Sequence, residues 1–201
     1  MTRILKSSIG LLLAVLLMSG GASAYFGYAK ADAAIMPDAG KPSLKIGGDG
    51  SRTGTFNVSN LVPGSSGSGS IRPVNVGNQT GQLGISFSSV TNTPAVIGEY
   101  MDGSGDLGAY MEIAVYIDVN GSGDWNNGDI GLKPDSTTYA YPTALEYDAL
   151  DNYSNITWKA IKSMTASAAC DFIITWHIPI IVGNEIQGDS VSFDINFFIV
   201  S

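Results

Sequence analysis

Cysteine, histidine and basic residues are scarce in this chain, and each scarcity removes a chemistry. Among 201 residues there is one cysteine, one histidine, and ten lysines and arginines against eighteen acidic residues. With Cys170 alone no intramolecular disulfide can form, so stability must come from the core, a metal or neighbouring subunits. The thiol lies beside Phe172-Ile-Ile-Thr-Trp176, which predicts a buried, inert cysteine. With His177 alone, neither H-E-x-x-H nor a histidine-rich zinc site can be built. A Ser-His-Asp triad finds no serine elbow near this residue, and no carboxylate spacing points to a glycosidase pair. His177, between Trp176 and Ile178, is expected to be structural or superficial, and no catalytic residue is expected. The formal charge of −8 argues against nucleic acid or anionic membranes as partners.

Long hydrophobic runs are scarce too. Only Ile9–Met18 is continuous enough to notice, and it falls short of the roughly 20 apolar residues of a spanning helix. It follows Arg3 and Lys6 and precedes Ser19-Gly-Gly-Ala-Ser-Ala24, which ends in an A-x-A pattern at Ala22 and Ala24. That three-part order reads as a secretory signal over residues 1–24, an uncleaved anchor being the alternative. Its removal takes two basic and no acidic residues, shifting the formal charge from −8 to −10. The mature part is expected outside the cytoplasm, without a membrane after processing and without a C-terminal anchor.

Beyond it, residues 25–42 have little β pattern and read as an arm, and residues 43–201 as one domain. From Ser43 apolar and polar residues alternate, at Ser43–Ile46, Thr53–Ser59, Ser70–Val76 and Leu83–Val90. Period two means one buried and one wet face, as in antiparallel sheets. Met111–Val119, Phe172–Ile181 and Ser190–Val200 read as further strands. Turn-rich segments separate the runs, and the Gly/Ser stretch over 64–70 reads as a flexible loop. Within residues 143–168, Thr143-Ala-Leu-Glu-Tyr-Asp-Ala-Leu could make a helical turn, and Trp158-Lys-Ala-Ile-Lys fits either helix or strand. Such a pattern predicts an all-β, jelly-roll-like antiparallel β-sandwich.

One loop carries a chemical signature. Asp118, Asn120, Ser122, Gly123, Asp124 and Asp129 fit the calcium-loop spacing D-x-[DN]-x-[DN]-G-x5-E, with Ser fifth and Asp twelfth. Asp118, Asn120, Ser122 and Asp129 offer side-chain oxygens and Asp124 its carbonyl, the hard donors calcium takes. A metal-free surface turn of the same composition is the alternative. Sequons stand at Asn57, Asn78, Asn152 and Asn155, potential glycosylation sites in an exported chain, and at Asn120, where a metal would compete.

Three segments together resemble the TasA/camelysin family of secreted, filament-forming proteins, including the archaeal bundling pilins. They are Ala22-Ser-Ala-Tyr25-Phe26; Phe56-Asn-Val-Ser-Asn-Leu61-Val-Pro63-Gly64 with Gly69-Ser-Ile71-Arg-Pro-Val74-Asn-Val-Gly77-Asn78; and Trp176-His-Ile-Pro179 with Gly183-Asn184-Glu-Ile-Gln187-Gly188-Asp189-Ser190 and Val191–Phe197. The resemblance implies a jelly-roll subunit that polymerises by donor-strand complementation, its arm entering the sheet of the next subunit. Tyr25, Phe26, Tyr28, Ile35 and Met36 would be the donor-strand residues. The implied partners are identical subunits in an open head-to-tail polymer, and neighbouring filaments, on the cell surface or in a biofilm matrix. Camelysin-type members have been classed as metalloproteases, a label that one histidine and no zinc motif do not support. A secreted monomeric, calcium-dependent carbohydrate- or surface-binding module, and a secreted hydrolase, are the alternatives.

Overall fold

Alternation in the sequence becomes strands whose apolar residues face each other across two antiparallel sheets. The computed structural model describes residues 23–28, 44–46, 52–95, 105–183 and 186–201. The signal segment up to residue 22 and arm residues 29–42, with Ile35 and Met36, lie outside the described residues.

In chain order the strands are β1 (Ser23–Tyr28), β2 (Leu44–Ile46), β3 (Thr53–Ser59), β4 (Ser66–Ile71), β5 (Pro73–Asn75), β6 (Gly81–Phe87) and β7 (Thr91–Thr93). A single helical turn, α1 (Leu107–Tyr110), precedes β8 (Glu112–Asp118), β9 (Ile130–Leu132), β10 (Thr138–Ala140) and β11 (Asp148–Ala149). A 3-10 turn over Leu150–Tyr153 leads into β12 (Thr157–Met164), β13 (Asp171–His177) and β14 (Ser190–Val200). The first sheet runs β1-β3-β14-β6-β12 with β7 on β14; the second runs β10-β9-β8-β13-β4 with β11 on β8. The chain crosses repeatedly between the sheets, giving the all-β antiparallel sandwich that the alternation predicts.

Between the sheets the inward residues interlock. Phe56, Val58, Leu83, Ile85, Phe193 and Phe197 of the first sheet are buried, as are Ile113, Val115, Ile117, Phe172 and Ile174 of the second. Phe87 sits at the centre, 4.8 Å from Phe193, 5.1 Å edge-on to Trp158 and 6.1 Å from Phe172 across the layers. Each such ring contributes about 2–3 kcal/mol by leaving water. Asn75, fully buried, closes the β5 end by donating to the carbonyls of Gln79 (2.8 Å) and Met164 (3.0 Å).

The Gly/Ser stretch corrects an expectation: Ser66–Ile71 is not a flexible loop but an edge strand. β4 pairs with β13 from Ser66 opposite His177 to Ile71 opposite Phe172. Gly67 stands opposite Trp176, and a Cβ there would lie 2.6 Å from the indole Cζ2. Glycine lets the large ring lie across the neighbouring strand, a pairing in which the aromatic covers the backbone that glycine leaves bare. Residues 143–168 resolve into β11, the 3-10 turn and β12, which carries a bulge between Trp158 and Lys162. β13 ends at His177, four residues earlier than expected, and Pro179 opens a turn.

Candidate functional sites: an end strand and an aspartate loop

β1 is the end strand of the first sheet. It pairs antiparallel with β3 through six positions, from Ser23 opposite Ser59 to Tyr28 opposite Gly54. Tyr25, Phe26 and Tyr28 lie in it, with Tyr25 opposite Asn57 and Phe26 opposite Phe56. The strand also includes Ser23 and Ala24, so it straddles the predicted cleavage junction. On its other side it approaches β4, the outermost strand of the second sheet. β1 therefore stands where both sheets end. Without it the N–H and C=O groups of β3 that point away from β14 would have no strand partner, the template an edge presents to another chain.

In the second sheet β8, the middle strand between β9 and β13, runs into the Asp118–Asp129 loop, which leads on to β9. Asp118 and Asp129 are fully buried, against the habit of aspartate, and backbone N–H groups explain why. Asp118 Oδ1 accepts from Asn120 N (3.1 Å) and Gly121 N (2.7 Å), and Oδ2 accepts from Gly123 N (2.6 Å). Asp129 takes Val119 N (3.1 Å) on one oxygen and Asn126 N (2.8 Å) on the other. The two carboxylates thus organise five backbone donors and fold the loop around themselves.

The remaining candidate ligands turn to Asn126, a residue the spacing did not single out. Its Nδ2 donates to Ser122 Oγ (2.5 Å) and to the Asp124 carbonyl (2.9 Å), and its Oδ1 accepts from Asn120 Nδ2 (2.7 Å). Asn120 Oδ1 accepts from Ser122 N (2.9 Å). The amide NH₂ of Asn126 therefore occupies oxygen lone pairs that a cation would need. Asp118, Asn120, Ser122, Asp124 and Asp129 are chemically suited to calcium, but in this arrangement their oxygens serve protein donors. Among the described residues no group of three or more His, Cys, Asp or Glu side chains converges as a metal site.

A cluster of rings pins the loop to the sheet. Trp125 packs edge-on to Tyr116 at 5.5 Å, lies 5.5 Å from Tyr139 and 6.4 Å from Tyr141, and donates from Nε1 to the Thr143 carbonyl at 2.9 Å. Tyr116 donates to the Gly123 carbonyl at 3.1 Å. Its phenol is pushed up to about 12, first by burial and then by the charges of Asp118, Asp129 and Asp124. Beside the cluster lies a cavity of about 230 Å³ lined by Lys133, Asp135, Glu146, Tyr147, Asp148 and Tyr153, among others.

The other candidates fall on the surface or in the core as their neighbours require. Asn57, Asn78, Asn120, Asn152 and Asn155 are all exposed. Asn152 Nδ2 donates to Asp148 Oδ1 (2.7 Å), and Asn155 adopts a positive φ of 60°. His177 is half-exposed; its Nε2 lies 2.9 Å from Glu112 Oε2, with the ring edge-on to Tyr147 at 4.9 Å. Cys170 is buried, and burial pushes its thiol up to about 11. Among the described residues no helix is long and apolar enough to cross a membrane.

No family model matches this chain, and no curated protein does. Among solved structures, the enzymatically active domain of bacteriophage CBA120 tailspike protein 4 aligns with 90% of this chain and 20% of that one, at 10% identity and a TM-score of 0.29. The chain therefore corresponds to about a fifth of that protein's length.

Proposed function

We propose that this chain is the structural subunit of an extracellular filament or bundling pilus, secreted through its N-terminal signal and polymerised by donation of its N-terminal strand. The observation that carries the reading is the place of β1, an end strand that closes the side where both sheets finish. Fifteen residues, 29 to 43, separate it from β2. A segment of that length reaches about 50 Å when extended, enough to deliver the strand to a neighbouring sandwich. The same strand pairing with a neighbour's β3 exchanges like hydrogen bonds for like, so concentration and chain entropy decide between self-pairing and polymer. A contact of this type is head-to-tail and does not close, which makes filaments.

Signal cleavage after Ala24 would remove the first two residues of β1 and free its N-terminus, so processing would license the exchange. The Asp118–Asp129 loop then serves as a rigid surface element, with calcium as its proposed ligand, and the exposed sequons as glycan sites on the filament. Lateral bundling would bring neighbouring filaments together. No catalytic step belongs to this reading.

Deletion of residues 25–40 tests it. The mature protein should give filaments by electron microscopy and the truncated protein only monomers; filaments from the truncated protein would remove the donor-strand mechanism. A second reading, a calcium-dependent carbohydrate- or surface-binding module, is favoured by the cavity between Lys133, Glu146 and Tyr147, where hydrogen-bonding groups meet aromatic walls. Monosaccharide titration of a strictly monomeric mature protein is the result that would prefer it.

A further inference from the structure

The turn after β13 is built from the wrong residues for a turn. Val182 N donates to the Pro179 carbonyl at 3.1 Å, which puts Ile180 and Ile181 at the two central positions. Those positions favour Pro, Gly, Asn, Asp and Ser, whose backbone preferences or short polar side chains suit a turn in water. Here two β-branched aliphatic side chains stand 83% and 90% exposed, next to each other. They are by far the most exposed of the large apolar residues described. Val62, 45% exposed, extends the surface, and Gly64 approaches so closely that a Cβ there would lie 3.3 Å from Ile180 Cγ2. On the other flank, Pro179, Ile181 and Val182 line a groove of about 290 Å³ together with Ala109 and Tyr110 of α1, Ala149 and one carboxylate, Glu112. A largely apolar surface of knuckle and groove, with Glu112 on its border, marks an interaction site.

We infer that the Ile180–Ile181 knuckle is the end-on contact with a second copy of this chain. This rests on the filament reading and adds the surface on which successive sandwiches meet. Position argues for a second copy. β3 ends at Ser59, opposite Ser23 of β1, and runs on through Leu61 and Val62 to Gly64 beside the knuckle. The knuckle thus stands at the end of the sandwich to which the N-terminal tip of the end strand points, continuous with the edge that strand covers. In a head-to-tail row that end must meet the next subunit. Charge argues the same way. Mature copies carrying a formal −10 repel one another. Residues 60–71 and 178–183, which build the knuckle side of this end, contain no charged residue except Arg72's neighbourhood beyond them, and the groove's one carboxylate, Glu112, lies 2.9 Å from His177 Nε2, so here alike chains touch with little of that penalty.

The test uses the mature protein, residues 25–201, and its Ile180→Ser/Ile181→Ser double variant. Both side chains lie outside the core, so the variant should keep the wild-type circular dichroism spectrum and Tm. Its critical concentration for filament formation should rise on the order of 100-fold, since each buried isoleucine contributes about a factor of ten or more. Wild type and variant polymerising at one critical concentration overturns the inference and leaves the filament reading standing. Wild type that never polymerises overturns both. Filaments that survive deletion of 25–40 but are lost in the double variant remove donor-strand exchange and keep this contact. Neutral phosphatidylcholine vesicles bound by wild type and not by the variant, with assembly unchanged, assign the knuckle to a lipid surface and overturn the inference.

Discussion

Asp118 shows how much one buried side chain can organise when every partner is a backbone N–H. Three donors converge on its two oxygens, and truncation leaves all three facing a carboxylate-sized void. Asp118→Ala should therefore cost about 2–4 kcal/mol of stability, read as a lower midpoint in urea denaturation with the slope unchanged. A loss below about 0.5 kcal/mol would mean that the loop satisfies those donors some other way. Cys170 gives a second residue-scale expectation. Its thiol is buried and pushed up to about 11, so at pH 8 only about one molecule in a thousand carries the thiolate. Thiol reagents should leave the native protein unlabelled at that pH and label it fully in denaturant; fast native labelling would place the sulfur at the surface. Asn126 holds the ninth position of the loop counted from Asp118, one that often reaches calcium through water, and only the folded loop shows its amide turned onto Ser122 and Asp124 instead.

At the scale of elements, β4 is the instructive case. Ser66-Gly-Ser-Gly-Ser70 has the composition of a linker, and no local property of those residues makes a strand. β13 makes it one, by pairing along its length and laying Trp176 over Gly67. Gly67→Val should consequently destabilise the protein by about 1–3 kcal/mol through overpacking against the indole, although valine is the better strand former. A gain in stability, measured as a higher Tm, would show that β4 is not packed in this way. The aspartate loop is the second element with a measurable consequence. Calcium has to displace the Asn126 amide from Ser122 and Asp124 before it can collect their oxygens, so binding should be weak, with Kd roughly 10⁻⁴ to 10⁻³ M. Calorimetric titration should show heat in the wild type and none in Asp118→Ala; no heat in either removes calcium from the loop.

For the whole molecule, the proposed polymerisation turns on which copy's β3 the strand β1 pairs with. Within one chain β1 completes its own sandwich; under the proposed donor-strand exchange it would instead join two, with the same backbone groups satisfied. Self-pairing is independent of concentration and polymer is not, so filament mass should show a threshold that rises when the arm is shortened. The sandwich underneath does not depend on that choice, because its core lies between β3, β6 and β14 on one side and β8 and β13 on the other.

The sequence by itself determined the class of fold and most inward-facing residues. A period of two is a local property, and Phe56, Val58, Leu83, Ile85, Phe193 and Ile195 carry it without reference to any partner. It also placed the turns, the surface sequons and the aspartate loop, since glycine, asparagine and aspartate act on their own backbone. The tertiary structure alone decided that a Gly/Ser run is a strand, that β13 stops at His177 and leaves two isoleucines in water, and that an asparagine amide gathers the loop's oxygens. It alone set the register of β1 on β3. Each of these depends on a residue distant in sequence or on a closed geometry, and a pairing partner is the one thing that local pattern does not encode.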